Sequence, residues 1–188
     1  MSRLALAALA ISLIAAPGAA AGSEDAWAAL VKGSHVALVR HGNAPPGYGG
    51  DPPGFKIDDC ATQRNMDERG RAQARAVGEA FRQHGVRVDK ILSSPWCRCL
   101  ETVRLMAVGP VENTLAVAAS DRSPERLVVL KQIVSSWRGP GTLVLVTHAL
   151  TVQALVGIMP SQAETVVLRP RPGDEPGVDV AGRIPVPE

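Results

Sequence analysis

The sequence predicts an α/β domain in which a mostly parallel sheet is covered by helices on both faces. Beyond residue 21, short apolar segments alternate with segments of helical periodicity. The apolar segments are continuous rather than alternating, which is typical of strands buried on both faces. The chain has 188 residues, the size of one domain, and 46% of them are hydrophobic, which is enough to form a core. We therefore expect one domain over residues 22–188.

The elements are predicted in order along the chain. A short helix over 27–31 comes first, and a compact apolar strand over 36–39 follows Gly33 and Ser34. Residues 43–63 contain the text PPGYGGDPPG and have no periodicity, so this loop is expected at the surface. A loop of this length is either a functional lid or binding loop or a tolerated insertion.

A helix follows that loop, capped by Asp67 and ended by Gly85. Its expected apolar face comprises Ala72, Ala76, Val77, Ala80 and Phe81. The remaining predictions are strands over 90–93, 142–147 and 165–168, helices over 96–106 and 124–137, and an edge strand over 178–184 in a tail rich in proline and glycine.

The composition argues against a nucleic-acid partner. The chain carries 20 basic and 18 acidic residues, a formal net charge of +2, whereas nucleic-acid binders need a basic surface. Aromatic residues make up only 3% of the chain, too few for a platform on which bases stack.

The first 21 residues have the organisation of a secretory signal. They contain the basic Arg3, an apolar run to Ala16, a Pro-Gly breaker and three alanines ending at Ala21, after which cleavage is expected. The apolar run is shorter than the roughly 20 residues that a membrane-spanning helix needs. We therefore expect a periplasmic or secreted protein with no stable membrane insertion.

Basic side chains follow three of the predicted strands. Arg40 and His41 come directly after the first strand, Arg98 begins the helix after KILSS, and His148 follows LVLV. Ligand sites of parallel sheets gather at the carboxyl ends of the strands, so these groups should meet. Two histidines and two arginines would repel one another unless an anion lay between them, and helix N-termini would add further N–H donors. The pattern predicts a phosphate site.

His41 is the predicted nucleophile of that site. An imidazole can accept a phosphoryl group when one nitrogen is free and a carbonyl holds the other as N–H. Gly42 would let the backbone turn tightly and approach the bound group. Arg40 and Arg98 would bind the phosphoryl oxygens, and His148 would be a further charged donor as negative charge builds. Asn43 either lines this pocket or is the first turn residue of the long loop.

Four ordered segments carry a resemblance to the histidine phosphatase superfamily between about residues 35 and 170. They are Arg40-His41-Gly42, NMDERGRAQARAVGEAF, SSPWCRCLETVRLM and LVLVTHALTVQALVG. The resemblance implies a phosphoglycerate mutase-like three-layer α/β/α sandwich and a phosphohistidine intermediate on His41. It also implies a phosphate pocket formed by Arg40, Arg98 and His148, with no metal or organic cofactor.

A general acid is needed to protonate a departing alcohol. Members of the superfamily commonly use an acidic residue between the second arginine and the second histidine, where this chain has Glu112, Asp121 and Glu125. We predict Asp121, which could instead serve only as a helix cap. Glu125 is the alternative, although a carboxylate in a first helical turn also has a structural use.

The chain is most similar to small exported bacterial members, some of which are lipopolysaccharide core heptose phosphatases. The leader, Cys60 before TQRN, WCRC and ETVVLRP carry this narrower resemblance. It implies a small phosphorylated substrate such as a phosphosugar of the cell envelope. Such relatives place a polar residue after the second histidine, where this chain has Ala149. The alternative function is therefore a phosphate-binding protein that has lost catalysis.

Three cysteines, Cys60, Cys97 and Cys99, would leave one unpaired in an oxidising compartment. The loop that carries Cys60 could reach either of the other two, so one bridge from Cys60 is expected. Their spacing lacks the paired pattern of a structural zinc site, and no metal is predicted.

Overall fold

The computed structural model describes residues 21–46, 50–118, 123–171, 173 and 177–186. Helices in these ranges are α1 (Ala21–Lys32), α2 (Glu68–Gln83), α3 (Cys97–Met106), α4 (Pro124–Ser135) and α5 (Ala149–Val156). Strands are β1 (Val36–Arg40), β2 (Val88–Ser93), β3 (Val111–Asn113), β4 (Thr142–Thr147), β5 (Thr165–Arg171) and β6 (Gly177–Ile184). Within the described ranges, no helix has the length and apolarity needed to cross a membrane.

The six strands form one sheet in the order β3-β2-β4-β1-β5-β6. Strands β1 to β4 run parallel to one another, whereas β5 is antiparallel to β1 and β6 is antiparallel to β5. The mostly parallel sheet is thus confirmed. Arg40 pairs with Thr147, and Ser93 pairs with Val146. The carboxyl ends of β1, β2 and β4 are therefore level, which places the residues after each strand at one edge.

Helices cover both faces of the sheet, as predicted. One apolar cluster joins Ala37 and Val39 of β1 to residues of α1, α2 and α3, and the other joins Val36 and Leu38 to residues of α4 and α5. Alternate residues of β1 therefore point to opposite cores, which explains why the strand is apolar throughout. The result is the expected three-layer arrangement.

Helix α2 begins where the sequence predicts it, since the Asp67 carboxylate accepts a hydrogen bond from the Gly70 N–H at 2.8 Å. Its buried face differs from the prediction, because Ala74 is buried and Ala72 is exposed. The reason is a stripe of small residues, since Gly70 and Gly78 bring the helix against neighbouring backbone. A Cβ on Gly78 would lie 2.0 Å from the Met106 carbonyl oxygen.

The glycine after His41 makes a similar close approach. A Cβ on Gly42 would lie 2.3 Å from the Gly70 carbonyl oxygen, and a Cβ on Gly70 would lie 2.2 Å from the Asn43 carbonyl oxygen. The structure shows that Gly42 makes room for α2, and its predicted approach to a bound group stays a prediction. This contact fixes the turn that carries His41.

Candidate active site

The strand ends bring together residues that are far apart in sequence. Arg40 ends β1 and His41 follows it, Ser94 follows β2, and His148 follows β4. The rings of His41 and His148 lie edge to face with centroids 5.4 Å apart. Arg98, in the first turn of α3, is near enough to lower the pKa of both histidines.

The His41 ring is held in the form that a nucleophile requires. Its side chain is buried, and Nδ1 lies 2.8 Å from the Gly42 carbonyl oxygen. A carbonyl can only accept, so Nδ1 carries the proton and Nε2 keeps its lone pair. Burial lowers the pKa of His41 to about 3, against the opposing Gly42 hydrogen bond and with help from the charges of Arg98, Arg40 and Arg64. The imidazole is neutral near pH 7.

Arg40 is held by the segment that follows α5. Its guanidinium Nη1 donates to the Pro160 carbonyl oxygen at 2.7 Å, and its side chain is buried. Pro160 lies between α5 and β5, so the segment after His148 orients the arginine that precedes His41.

Arg98 is paired with a carboxylate that the sequence analysis did not select. Its Nη1 lies 2.8 Å from Asp51 Oδ1, and its Nη2 lies 3.3 Å from Asp51 Oδ2. Asp51 also accepts from the Arg64 backbone N–H and the Trp96 indole N–H, each at 3.0 Å. Burial alone would raise the pKa of Asp51, but hydrogen bonds from Arg98, Arg64 and Trp96 lower it below its ordinary value. Asp51 is therefore ionised.

Arg64 is a third arginine beside the two histidines, and it was also missed. Burial lowers its pKa, and the nearby Arg98 charge adds to that effect. Its Nη1 donates to the Ala44 carbonyl oxygen. The sequence signal was present in the TQRN text, which contributed only to the family resemblance. With Arg40, Arg64 and Arg98 near one another, the site is suited to an oxyanion.

His148 is in hydrogen-bonding reach of the residue after β2. Its Nε2 lies 2.7 Å from Ser94 Oγ, and the Trp96 ring approaches it edge-on at 5.4 Å between centroids. Burial among these groups, followed by the charge of Arg98, lowers its pKa well below the ordinary value. His148 is thus neutral before an anion binds, and its role as a charged donor while negative charge builds stays a prediction. A bound phosphate would favour its protonation.

The other predicted site residues lie elsewhere. The Asn43 amide donates to Asp67 Oδ2 at 2.7 Å, so Asn43 helps to hold the start of α2, and its phosphate contact stays a prediction. Asp121, the predicted general acid, lies outside the described residues. Glu125, the alternative, is exposed and lies 4.0 Å from Arg126. The acid therefore stays a prediction.

A disulfide links the long loop to the start of α3. Cys60 is bonded to Cys97, which confirms a single bridge from Cys60 and identifies its partner. Cys99 is free and buried, and burial raises the pKa of its thiol to about 12. The Gln63 amide oxygen also accepts from the Cys97 N–H at 2.9 Å. In the described part of the chain, no group of three or more His, Cys, Asp or Glu residues is arranged to hold a metal ion.

Comparison with known proteins agrees with this geometry. Residues 36–116 match the family model of the histidine phosphatase superfamily (branch 1). A search of curated proteins gave no significant match.

Several solved structures share the fold. YhfR from Bacillus stearothermophilus superposes with a TM-score of 0.58 at 16% identity, covering 79% of this chain and 95% of its own. The protein histidine phosphatase SixA, complexed with tungstate, gives 0.56 at 13% identity, covering 80% and 96%. A mycobacterial glucosyl-3-phosphoglycerate phosphatase complexed with VO3 gives 0.55 at 16% identity, covering 78% and 96%.

Proposed function

We propose that this chain, which belongs to the histidine phosphatase superfamily, hydrolyses a phosphomonoester through a covalent phosphohistidine on His41. The observation that carries the proposal is the state of His41: a buried, neutral imidazole whose Nδ1 proton is held by the Gly42 carbonyl. Three arginines lie near this ring, so a phosphoryl group would be held by positive charge beside an uncharged nucleophile.

The first step transfers the phosphoryl group to the protein. His41 Nε2 attacks phosphorus, the N–P bond forms, and the P–O bond to the alcohol breaks. Asp121 would give its proton to the departing oxygen. The phosphorylated ring becomes positively charged, and the hydrogen bond from Nδ1–H to the Gly42 carbonyl stabilises that charge.

The second step returns the free enzyme. Water attacks phosphorus, the N–P bond breaks, and the electron pair returns to His41 Nε2 as inorganic phosphate leaves. The water gives up its proton to the carboxylate that acted as the acid in the first step. Arg40, Arg98 and His148 stabilise the phosphoryl oxygens in both steps, with His148 becoming a better donor as the anion raises its proton affinity.

The substrate proposed here is a small phosphorylated molecule outside the cytoplasm, such as a phosphosugar of the cell envelope. The leader over residues 1–21 supports export, and the Cys60–Cys97 bond suits an oxidising compartment. Expressing the full chain and measuring the intact mass of the exported product tests the export that this substrate requires. Cleavage after Ala21 is expected, and an uncleaved product confined to the cytoplasm would refute it.

Hydrolysis of p-nitrophenyl phosphate by wild type, His41→Ala and His84→Ala tests the reaction. His84 is exposed, and its ring stacks on Trp27 of α1 rather than on a residue of the candidate site. His84→Ala is therefore the matched control. We expect full activity for His84→Ala and none for His41→Ala. Rapid quenching with labelled substrate should trap an acid-labile, alkali-stable adduct in wild type and His84→Ala but not in His41→Ala. Equal activity in all three proteins would exclude the mechanism.

A second candidate, phosphate binding without turnover, is favoured by the exposure of Glu125 and by Ala149 after His148. Orthovanadate titration separates the two functions. A wild-type protein that binds vanadate and releases no p-nitrophenol is a binding protein. Loss of turnover by roughly a hundredfold or more in Arg98→Ala would favour the enzyme.

A further inference from the structure

Asp51 and Arg98 form a buried ion pair with a specific geometry. The side chains are each only 7% exposed, and both terminal nitrogens of the guanidinium bind the two carboxylate oxygens. In this end-on arrangement Asp51 lies against Nη1 and Nη2. The side edge of the guanidinium, formed by Nε and Nη2, does not face the carboxylate. Arg98 Nε is buried and has no hydrogen-bond partner among the described residues.

A buried guanidinium N–H without a hydrogen-bond partner lowers the stability of the folded protein. It therefore indicates a donor that is satisfied when a ligand binds. The Nε–Nη2 edge presents two parallel N–H donors, the geometry that matches two oxygens of a phosphoryl group. The charge of Arg98, added to the effect of burial, lowers the pKa of both His41 and His148, so its guanidinium lies near the proposed nucleophile.

Asp51 is fixed by hydrogen bonds besides those from Arg98. Its Oδ1 accepts from the Arg64 backbone N–H, and its Oδ2 accepts from the Trp96 indole. The Cys60–Cys97 bond joins its loop to the start of α3. Displacing this carboxylate would break four hydrogen bonds and leave a buried charge without a partner.

We propose that Asp51 is a positioning residue, which orients Arg98 by its terminal nitrogens so that the Nε–Nη2 edge is presented to the phosphoryl group. It acts through Arg98 and does not contact the substrate. The inference rests on the proposed function, because it assigns Arg98 to the phosphoryl group. Removing Asp51 should lower kcat/KM on the order of tenfold to a hundredfold, mainly through kcat, as is usual for residues that orient a binding group.

A double-mutant cycle tests the proposal. The proteins are wild type, Asp51→Asn, Arg98→Ala and the double variant, with Asp58→Asn as the control because Asp58 is exposed on the same loop. When Arg98 is present, we expect Asp51→Asn to lower kcat/KM and to weaken orthovanadate binding. When Arg98 has been replaced by alanine, Asp51→Asn should have no further effect. Asp58→Asn should match wild type.

Two results would overturn this inference. Equal losses from Asp51→Asn with and without Arg98 would mean that Asp51 acts on the fold in general. Tighter vanadate binding by Asp51→Asn would mean that the carboxylate competes with phosphate for Arg98. Neither result bears on the proposed function, which fails if wild type releases no p-nitrophenol or forms no adduct on His41. Urea unfolding of each variant confirms that the proteins compared are folded.

Discussion

Replacing His41 with glutamine should make the stability of the protein less sensitive to acid. In the folded state the pKa of His41 is about 3, compared with an ordinary value of 6.5 that applies to the unfolded chain. Between these values the unfolded chain binds a proton that the folded protein does not, so stability falls as the pH falls. A pH of about 5 is about 1.5 units below the pKa of this histidine in the unfolded chain. The free energy of unfolding is therefore about 2 kcal/mol lower there than at neutral pH.

Urea unfolding followed by far-ultraviolet circular dichroism, at about pH 7.5 and about pH 5, measures this effect in phosphate-free buffer. The loss of unfolding free energy on acidification should be about 2 kcal/mol smaller in His41→Gln than in wild type. His148 is present in both proteins, so its contribution cancels to a first approximation. His84→Gln, altered at an exposed ring, is the control and should follow wild type. Equal pH dependence in wild type and His41→Gln would refute the neutral, buried state assigned to His41.

Three further predictions concern packing and the cysteines. Gly70→Ala should destabilise the protein by about 2 kcal/mol or more, because its Cβ would lie 2.2 Å from a backbone oxygen, whereas Gly50→Ala meets nothing within 4 Å and should be neutral in urea unfolding. Reducing the Cys60–Cys97 bond, which spans a sequence separation of 37, should lower the unfolding free energy by about 4 kcal/mol; an unchanged urea midpoint in dithiothreitol would contradict this. Cys99, with its thiol pKa raised to about 12, should react with Ellman's reagent only after unfolding, and rapid reaction of the native protein would contradict its burial.

The central strands could be predicted because their burial on both faces requires continuous apolar sequence. Strand β4 occupies the predicted range 142–147, and β1 extends one residue beyond its predicted end. Strand β3 was not predicted, because its three residues are all exposed and only Val111 among them is apolar. Helix α1 begins earlier than predicted for a related reason, since residues 22–25 are small or polar in sequence and carry no apolar signal.

Within the site, the residues at strand ends could be predicted and those on the loop could not. Arg40, His41 and His148 directly follow apolar strands, so topology alone places them at one edge. Asp51 lies in a loop without periodicity and meets Arg98 across 47 positions of sequence, a contact that no local pattern encodes. The neutral state of His148 could not be predicted from the sequence either. It depends on the burial of the ring and on its distance from Arg98 in the folded protein.

The position of β4 in the sheet has a consequence for folding during synthesis. Strands β1 and β2 are not neighbours, because β4 lies between them and pairs with both. Until residue 147 has left the ribosome, the two earlier strands have unpaired apolar edges and the groups that follow them have no common edge to meet at. A nascent chain that stops before β4 therefore carries Arg40, His41 and Arg98 without a binding site. Assembly of the pocket is thus a late event, completed by a single inserted strand.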